Sequence, residues 1–276
     1  MASFRERLRV ARWFLERPHL YQEFARFTAG RIRNLGRDLE LEARDAVRAC
    51  ERAWVDPQTA LRSITGKTDV ATFHELFPRE LAAANETLRQ APVTLHGAGN
   101  LDLIYGLTEH VAATRALETG VSAGWSSLAF LLSLRNRRDA KLVSTDMPYP
   151  GSAKDAARYV GCVVPDGLRT MWRRIDEPDR TALPKALALH PELDICHYDS
   201  DKSYDGRMWA YRQLWRALRP NGVFMSDDID DNLGFFHFCG EAGRQPIVVR
   251  VAATDGFKYV GIVIKTAANG HYTETH

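Results

Sequence analysis

From about residue 100 onwards, short apolar runs alternate with segments of helical period, and this alternation restricts the fold more than any other feature. The helical pattern LDLIYGLTEHV leads into the buried-strand pattern ATRALETG, SSLAFLLSLRN into KLVSTD, and KDAARYVGCV into TMWRRID. A short helix around TALPKALALH then precedes the strand LDICHYD, and DGRMWAYRQLWRALRP precedes GVFMSDD. Strands separated by helices imply a parallel sheet covered on both faces. The tail PIVVRVAATDGFKYVGIVIK reads as two strands joined near Asp255-Gly256, a hairpin that adds an antiparallel strand. The expected fold class is α/β: a doubly wound, mostly parallel seven-stranded sheet with a C-terminal antiparallel hairpin.

The preceding residues, 1 to about 90, read as helical. Phe4, Leu8, Phe14 and Leu15 recur at roughly helical spacing. DLELEARDAVRACERAWV is a second amphipathic run stopped by Asp56-Pro57, and FHELFPRELAAANETLRQ a third that ends before Ala91-Pro92. Two units result: 1–92, an N-terminal helical extension suited to a lid or an oligomer contact such as a homodimer, and 93–276, the α/β domain. The length of 276 residues is enough for one large α/β domain with such an extension.

A formal net charge of +2 gives no argument for a nucleic-acid partner. Up to Arg37 there are nine arginines against three acids, which suits an anionic surface or, more plainly, a solvated helix face. No segment has the apolar length of a membrane span, and MASFRERLRVARWFLERPHL lacks the apolar centre of a secretory signal. Cys50, Cys162, Cys196 and Cys239 are far apart and form no C-x-x-C pair, so a reducing cytoplasm is the expected setting.

In parallel sheets of this type ligands bind beyond the C-terminal strand ends, near the point where strand order reverses. Chemistry is therefore sought in the residues directly after each strand. After the first strand, ETGVSAGWSS carries Gly120 and Gly124, which let the backbone turn tightly and approach a ligand, with free N–H groups at the following helix start. After the second stands Asp146, whose two oxygens can accept both hydroxyls of a ribose, followed by Met147, whose polarisable sulfur suits an adenine face. The plain alternative for Asp146 is a cap on the next segment. After the fourth and fifth strands come HYDSDKSYDG and SDDIDDN. If these strands are neighbours, Asp199, Asp227 and Asp228 meet and repel one another. A hard divalent cation, with Mg²⁺ the expected one, relieves such repulsion and lowers the pKa of a coordinated hydroxyl. Asp201, Asp205, Asp230 and Asp231 read as turn formers and caps, and His197 as a satisfied core histidine. Phe235, Phe236 and His237 follow the fifth strand and line an acceptor pocket or pack in the core. Gly99 and Asn100 stand at the start of the helix before the first strand, placed to touch a ligand from above.

The G-x-G-x-x-G loop of dinucleotide enzymes is missing. The turn E-x-G-x-x-x-G-x-S (Glu118, Gly120, Gly124, Ser126) instead resembles the first motif of class I S-adenosylmethionine-dependent methyltransferases, a Rossmann-like family, and the resemblance runs from about His96 to Lys265. It implies that Glu118, Gly120, Ser122, Gly124 and Ser126 line the methionine part of the cofactor, that Asp146 holds the ribose beside Met147, and that Asp179 and Arg180 contact the adenine edge, with Asp199 closing the cradle. The acids of the fourth and fifth strands look like those of metal-dependent O-methyltransferases of the catechol O-methyltransferase type. There an Asp, a Lys three positions on and an Asp-Asn pair recur; Asp199, Lys202 and Asp227 match, while Asp228 replaces the Asn. By that resemblance Asp199, Asp227 and Asp228 hold the metal and Lys202, its pKa lowered beside a metal and a sulfonium, is the base. A related bacterial branch of small-molecule methyltransferases carries His where Lys202 stands. The expected function is methyl transfer from S-adenosylmethionine to a hydroxyl of a small molecule, assisted by a divalent metal. Rival readings are metal-free methylation with Lys202 or His237 as base, an NAD-dependent oxidoreductase, and a non-catalytic cofactor-binding scaffold.

Overall fold

The computed structural model describes residues 4–33, 38–93, 95, 97–147, 156–253 and 256–266. Helices α1 (Phe4–Leu15), α2 (Tyr21–Arg33) and α3 (Leu39–Glu51) precede strand β1 (Trp54–Val55). Helices α4 (Pro57–Thr65), α5 (Phe73–Leu76), α6 (Pro78–Gln90) and α7 (Leu101–His110) follow. The alternating part then runs β2 (Arg115–Thr119), α8 (Trp125–Leu134), β3 (Lys141–Thr145), β4 (Trp172–Ile175), α9 (Asp179–Leu189) and β5 (Leu193–Tyr198). It ends with α10 (Tyr204–Ala217), β6 (Leu218–Ser226), α11 (Gly234–Glu241), β7 (Ile247–Ala253) and β8 (Gly256–Lys265).

The strands form one sheet in the order β1-β7-β8-β6-β5-β2-β3-β4. Pairs from β4 through β6 are parallel, and β8 runs against both β6 and β7. The seven expected strands are all present, and the sheet has an eighth. Trp54 and Val55 add it by pairing parallel with Val248 and Val249 at the outer edge. Two residues are too few for a period-2 pattern, which is why β1 is invisible in the sequence. Residues 254–255 of the hairpin turn, and His96 where the family resemblance begins, lie outside the described residues.

Among the described residues one expected helix is absent. Of KDAARYVGCV the described part holds only a 3₁₀ turn at Ala156–Tyr159, and a second lies at Asp166–Met171. The backbone here is used elsewhere: Gly161 N–H donates to Ser122 O (2.8 Å) and Val163 N–H to Ala123 O (3.1 Å). Those bonds dock the segment onto the glycine loop and leave no ladder for a helix.

Every residue of β5 is buried, as a central strand covered on both faces requires. Nine of the ten residues of α8 are buried as well, so this helix lies wholly inside the covering layer. Each large apolar side chain so buried stabilises the fold by about 1.5–3 kcal/mol. Leu61, Phe73 and Phe77 belong to the same core as Leu103, Ile104 and Leu107 of α7. The Phe73 and Phe77 rings lie 4.9 Å apart, and both meet Tyr105 edge-on. By contrast Trp13 and Phe14 of α1 and Leu20 in the 3₁₀ turn between α1 and α2 form a small cluster of their own. Among the described residues no helix is long and apolar enough to cross a membrane.

From β2 the chain proceeds outward to β3 and β4, then returns to β5 on the other side of β2. The order of strands thus reverses between β2 and β5, where a doubly wound sheet opens a crevice at its C-terminal edge.

Candidate active site

The loop after β2 rises into that crevice. Gly120 has φ +81°, and a Cβ there would lie 2.0 Å from the Asp199 carbonyl oxygen, so only glycine lets the two strand ends touch. Ser122 (φ +49°) and Gly124 (φ +96°) also take left-handed backbone, turning the loop into α8. Asp146, at the end of β3, accepts from the N–H groups of both Val121 and Ser122 at 2.9 Å through one oxygen, Oδ2. Burial raises its pKa, and those two N–H bonds oppose the rise. Asp146 is thus a clamp on the glycine loop through Oδ2, and among the described residues Oδ1 has no hydrogen-bond donor. Met147 follows it, half-buried.

Glu118 lies beneath the loop, fully buried. Its Oε1 accepts from Ser127 and from Ser144 (2.6 Å), while Oε2 has no partner among the described residues. Burial raises its carboxyl pKa; the nearby hydroxyls of Ser126, Ser127 and Ser144 oppose this. Asp179, in the first turn of α9, accepts from Ser200 Oγ and Tyr198 Oη (3.3 Å) at the end of β5. Its pKa is raised to about 6 by burial, with the nearby Asp201 charge adding to it. Arg180 turns elsewhere, its guanidinium 4.2 Å over the Trp209 ring.

The expected meeting of the fourth- and fifth-strand acids occurs. Strands β5 and β6 are neighbours in register Tyr198 with Ser226, and Asp227 N–H donates to Tyr198 O at 3.0 Å. Asp199, Asp227 and Asp228 therefore share one spot beside the glycine loop. Their counter-ions are protein side chains. Lys202 Nζ donates to Asp199 and lies 2.8 Å from Asp228 Oδ2. Lys258 Nζ donates to Asp227 Oδ2 at 2.6 Å. Asp227 Oδ1 accepts from Asn100 Nδ2 at 3.0 Å and lies 3.0 Å from His197 Nε2.

Electrostatics follow from this arrangement. Burial pushes the Asp227 pKa up, but His197, Lys258 and Lys202 outweigh it and hold the carboxyl well below the usual range. Asp199 moves the other way, raised by burial and by Asp227 despite Lys202. Burial would lower the Lys202 ammonium; Asp199 and Asp228 reverse that and raise it. Beside Asp199 and Asp228 alone, without the metal and sulfonium on which the expected lowering depends, Lys202 is held as an ammonium. His197 is buried as expected, but only one nitrogen is satisfied, since Nδ1 has no partner among the described residues. His237, the alternative base, is exposed and bonds the Tyr204 hydroxyl through Nδ1 at 3.1 Å.

Mg²⁺ needs several oxygens free to converge on it. Here each of the three carboxylates already meets an ammonium group, and both oxygens of Asp227 are engaged. Among the described residues no group of three His, Cys, Asp or Glu side chains is arranged to hold a metal ion. The residues Asp199, Asp227 and Asp228 converge as expected but do not fit the metal in this arrangement.

Arg207 was not singled out from the sequence, and it fastens the site together. Fully buried, it donates from Nη1 to Asp227 O (3.1 Å), from Nη2 to Asp228 O (2.7 Å) and Asp231 Oδ2 (3.1 Å), and from Nε to Lys202 O (3.3 Å). One guanidinium thus joins the loop after β5 to the loop after β6. Its signal in the sequence is an arginine on the apolar face of α10, in line with Tyr211 and Leu214, where a charge needs a buried partner. Asp201 and Asp231 serve the turns, as expected: Asp201 accepts from Ser203 N–H (2.9 Å) and Asp231 from Arg207.

Residues 117–229 match a family described as a methyltransferase domain. No curated protein matches the chain. Several solved structures share the fold. A candidate O-methyltransferase from Klebsiella pneumoniae is 17% identical, covering 76% of this chain and 96% of its own, with a TM-score of 0.52. The O-methyltransferase from Bacillus cereus, solved with SAH, is 13% identical over 75% of this chain and 96% of its own, TM-score 0.54. TomG from Streptomyces achromogenes, an O-methyltransferase of tomaymycin synthesis solved with SAM, is 17% identical over 68% and 90%, TM-score 0.51. The family match spans residues 117–229, and these neighbours share the Rossmann-like α/β fold with the chain.

Proposed function

We propose that this chain transfers the methyl group of S-adenosylmethionine to a hydroxyl oxygen of a small molecule. One observation carries the reading: within a methyltransferase domain, the glycine loop with its Asp146 clamp and the Asp199–Lys202 pair adjoin each other at the point where the sheet reverses. The methionine part of the cofactor would lie along Gly120, Ser122 and Gly124, above Glu118 and Ser126. Asp146 Oδ1 would take the ribose hydroxyls, Met147 the adenine face, and Asp179 the far edge.

In the transfer, the sulfonium S–CH₃ bond breaks as the O–CH₃ bond forms, giving S-adenosylhomocysteine and a methyl ether. The hydroxyl proton passes to the half-exposed carboxylate of Asp199. The Lys202 ammonium stabilises negative charge growing on the acceptor oxygen, and the domain's main task is to align donor with acceptor and keep water out. Mg²⁺ was the expected assistant, but the donor set favours the metal-free form of the reaction, with Lys202 as a fixed cation in place of a base. The helices before β1 would supply a lid or a dimer contact.

Calorimetry tests the cofactor half: S-adenosylmethionine and S-adenosylhomocysteine bind, NAD does not, and Asp146→Ala weakens binding about 10–100-fold through loss of the loop clamp. A methyl-release screen over hydroxylated small molecules, with and without EDTA, tests the chemistry. Binding of NAD in preference to S-adenosylmethionine would replace the reading with an oxidoreductase; binding without turnover on any acceptor would favour a scaffold.

A further inference from the structure

Lys258 was not foreseen by any rule about strand ends, yet it reaches the centre of the carboxylate cluster. It does so because β8 runs antiparallel: its first residues lie where the parallel strands finish, and Ile229 N–H donates to Tyr259 O (3.1 Å) just beyond Asp227. Lys258 Nζ takes Asp227 Oδ2, while Asn100 and His197 take Oδ1, so Asp227 cannot turn to another cation without releasing one of them. Gly99 leaves room for this lysine, since a Cβ there would stand 3.3 Å from Nζ. Lys202 performs the same service for Asp199 and Asp228.

We infer that Lys202 and Lys258 together fill, as built-in cations, the position between the β5 and β6 ends that a divalent ion would otherwise take. Three carboxylates and two ammonium groups leave one negative charge at most. A divalent ion added to them would meet two ammonium groups at close range in a partly desolvated cleft, where like charges repel strongly. The same balance admits a sulfonium cofactor, whose single positive charge matches the remainder; that last clause rests on the methyltransferase reading, whereas the lysine substitution does not.

The test is direct binding of Mn²⁺ to the full-length protein, with and without S-adenosylhomocysteine, followed by electron paramagnetic resonance of the free ion. Site binding is counted as that lost in Asp199→Asn. The wild type should show none in the millimolar range. The Lys202→Met/Lys258→Met double variant, and Lys258→Gln should the double fail to fold, should gain one saturable site at least about tenfold tighter than the wild type. A wild-type site lost in Asp199→Asn overturns the inference. So does absence of a site in the folded variant, because the carboxylates then form no cation position for lysines to fill. If S-adenosylhomocysteine itself fails to bind, the proposed function falls, while the titration without it still decides the role of the lysines.

Discussion

The two halves of the crevice are held in different ways. At the glycine-loop end, a carboxylate is satisfied by main chain: Asp146 receives two N–H groups from the adjoining turn. At the lysine–carboxylate end, the acids are satisfied by charged and polar side chains from other parts of the chain: Asn100 at α7, Lys258 on β8, His197 on β5 and Lys202 in the loop before α10. Main-chain donors are fixed once the strand and turn exist, so the first half is set by local folding. The second exists only after distant parts of the chain have assembled, and its strength is Coulombic in a partly desolvated place. A backbone-held site resists substitution of its neighbours; a side-chain-held site is reprogrammed by one residue.

Removing the arginine that joins the β5 and β6 loops gives the largest expected effect. Arg207→Ala leaves the carbonyls of Asp227 and Asp228 and the Asp231 carboxylate without their donor and opens a cavity against Tyr211. Stability should fall by about 3–5 kcal/mol in urea unfolding. A loss under about 1 kcal/mol would mean that the strand pairing alone holds the two loops, and the contrast between the halves would weaken. Next comes Gly120→Ala. Its left-handed φ and the 2.0 Å approach of a Cβ to the Asp199 carbonyl should cost about 2–4 kcal/mol and weaken S-adenosylmethionine binding at the same time. Gly167→Ala, where nothing lies within 4 Å of the added carbon, is the control and should stay within about 0.5 kcal/mol. Equal effects at the two glycines would show that the strand ends do not depend on this contact.

The same contrast explains what was legible in the sequence. The glycine loop, Asp146 and the order of strands were readable because each is a local signal: a period, a turn residue, an acid directly after a strand. Convergence of Asp199 with Asp227 and Asp228 followed from one topological assumption, that consecutive strands are neighbours, and β5 and β6 satisfy it. Lys258 was not readable by the rule that chemistry follows a strand, because in an antiparallel strand the residues at that edge come first. Arg207 is masked by its helix, where an arginine ordinarily faces water. The metal expectation failed to anticipate Lys258 for this reason: counting residues after parallel strand ends omits a cation delivered from the opposite direction. Trp54–Val55 escaped because a two-residue strand has no period, and the segment after β3 was read as a helix because docking onto the glycine loop leaves no trace in hydrophobic spacing.

Asp179 stands between the two modes, since its carboxylate accepts chiefly from the hydroxyls of Ser200 and Tyr198 and has no cation beside it among the described residues. Burial, with the neighbouring Asp201 charge, outweighs these donors and raises its pKa to about 6. For an acid raised in the folded state, the native protein binds the proton more tightly than the unfolded chain between about pH 4 and about pH 6. Stability attributable to Asp179 is therefore highest at the acidic side of that window, falls as pH rises through it, and stays lower above. Asp179→Asn keeps a hydrogen-bonding group without the charge and should remove this fall. Relative to wild type, the variant should gain about 1–2 kcal/mol between pH 4.5 and pH 7.5 in urea unfolding, the full shift being discounted for partial exposure. The smallness of the effect makes it the finest probe of the comparison. A difference between the two proteins that does not change with pH would mean that Ser200 and Tyr198 stabilise the ionised carboxylate as fully as the N–H groups of the glycine loop stabilise Asp146.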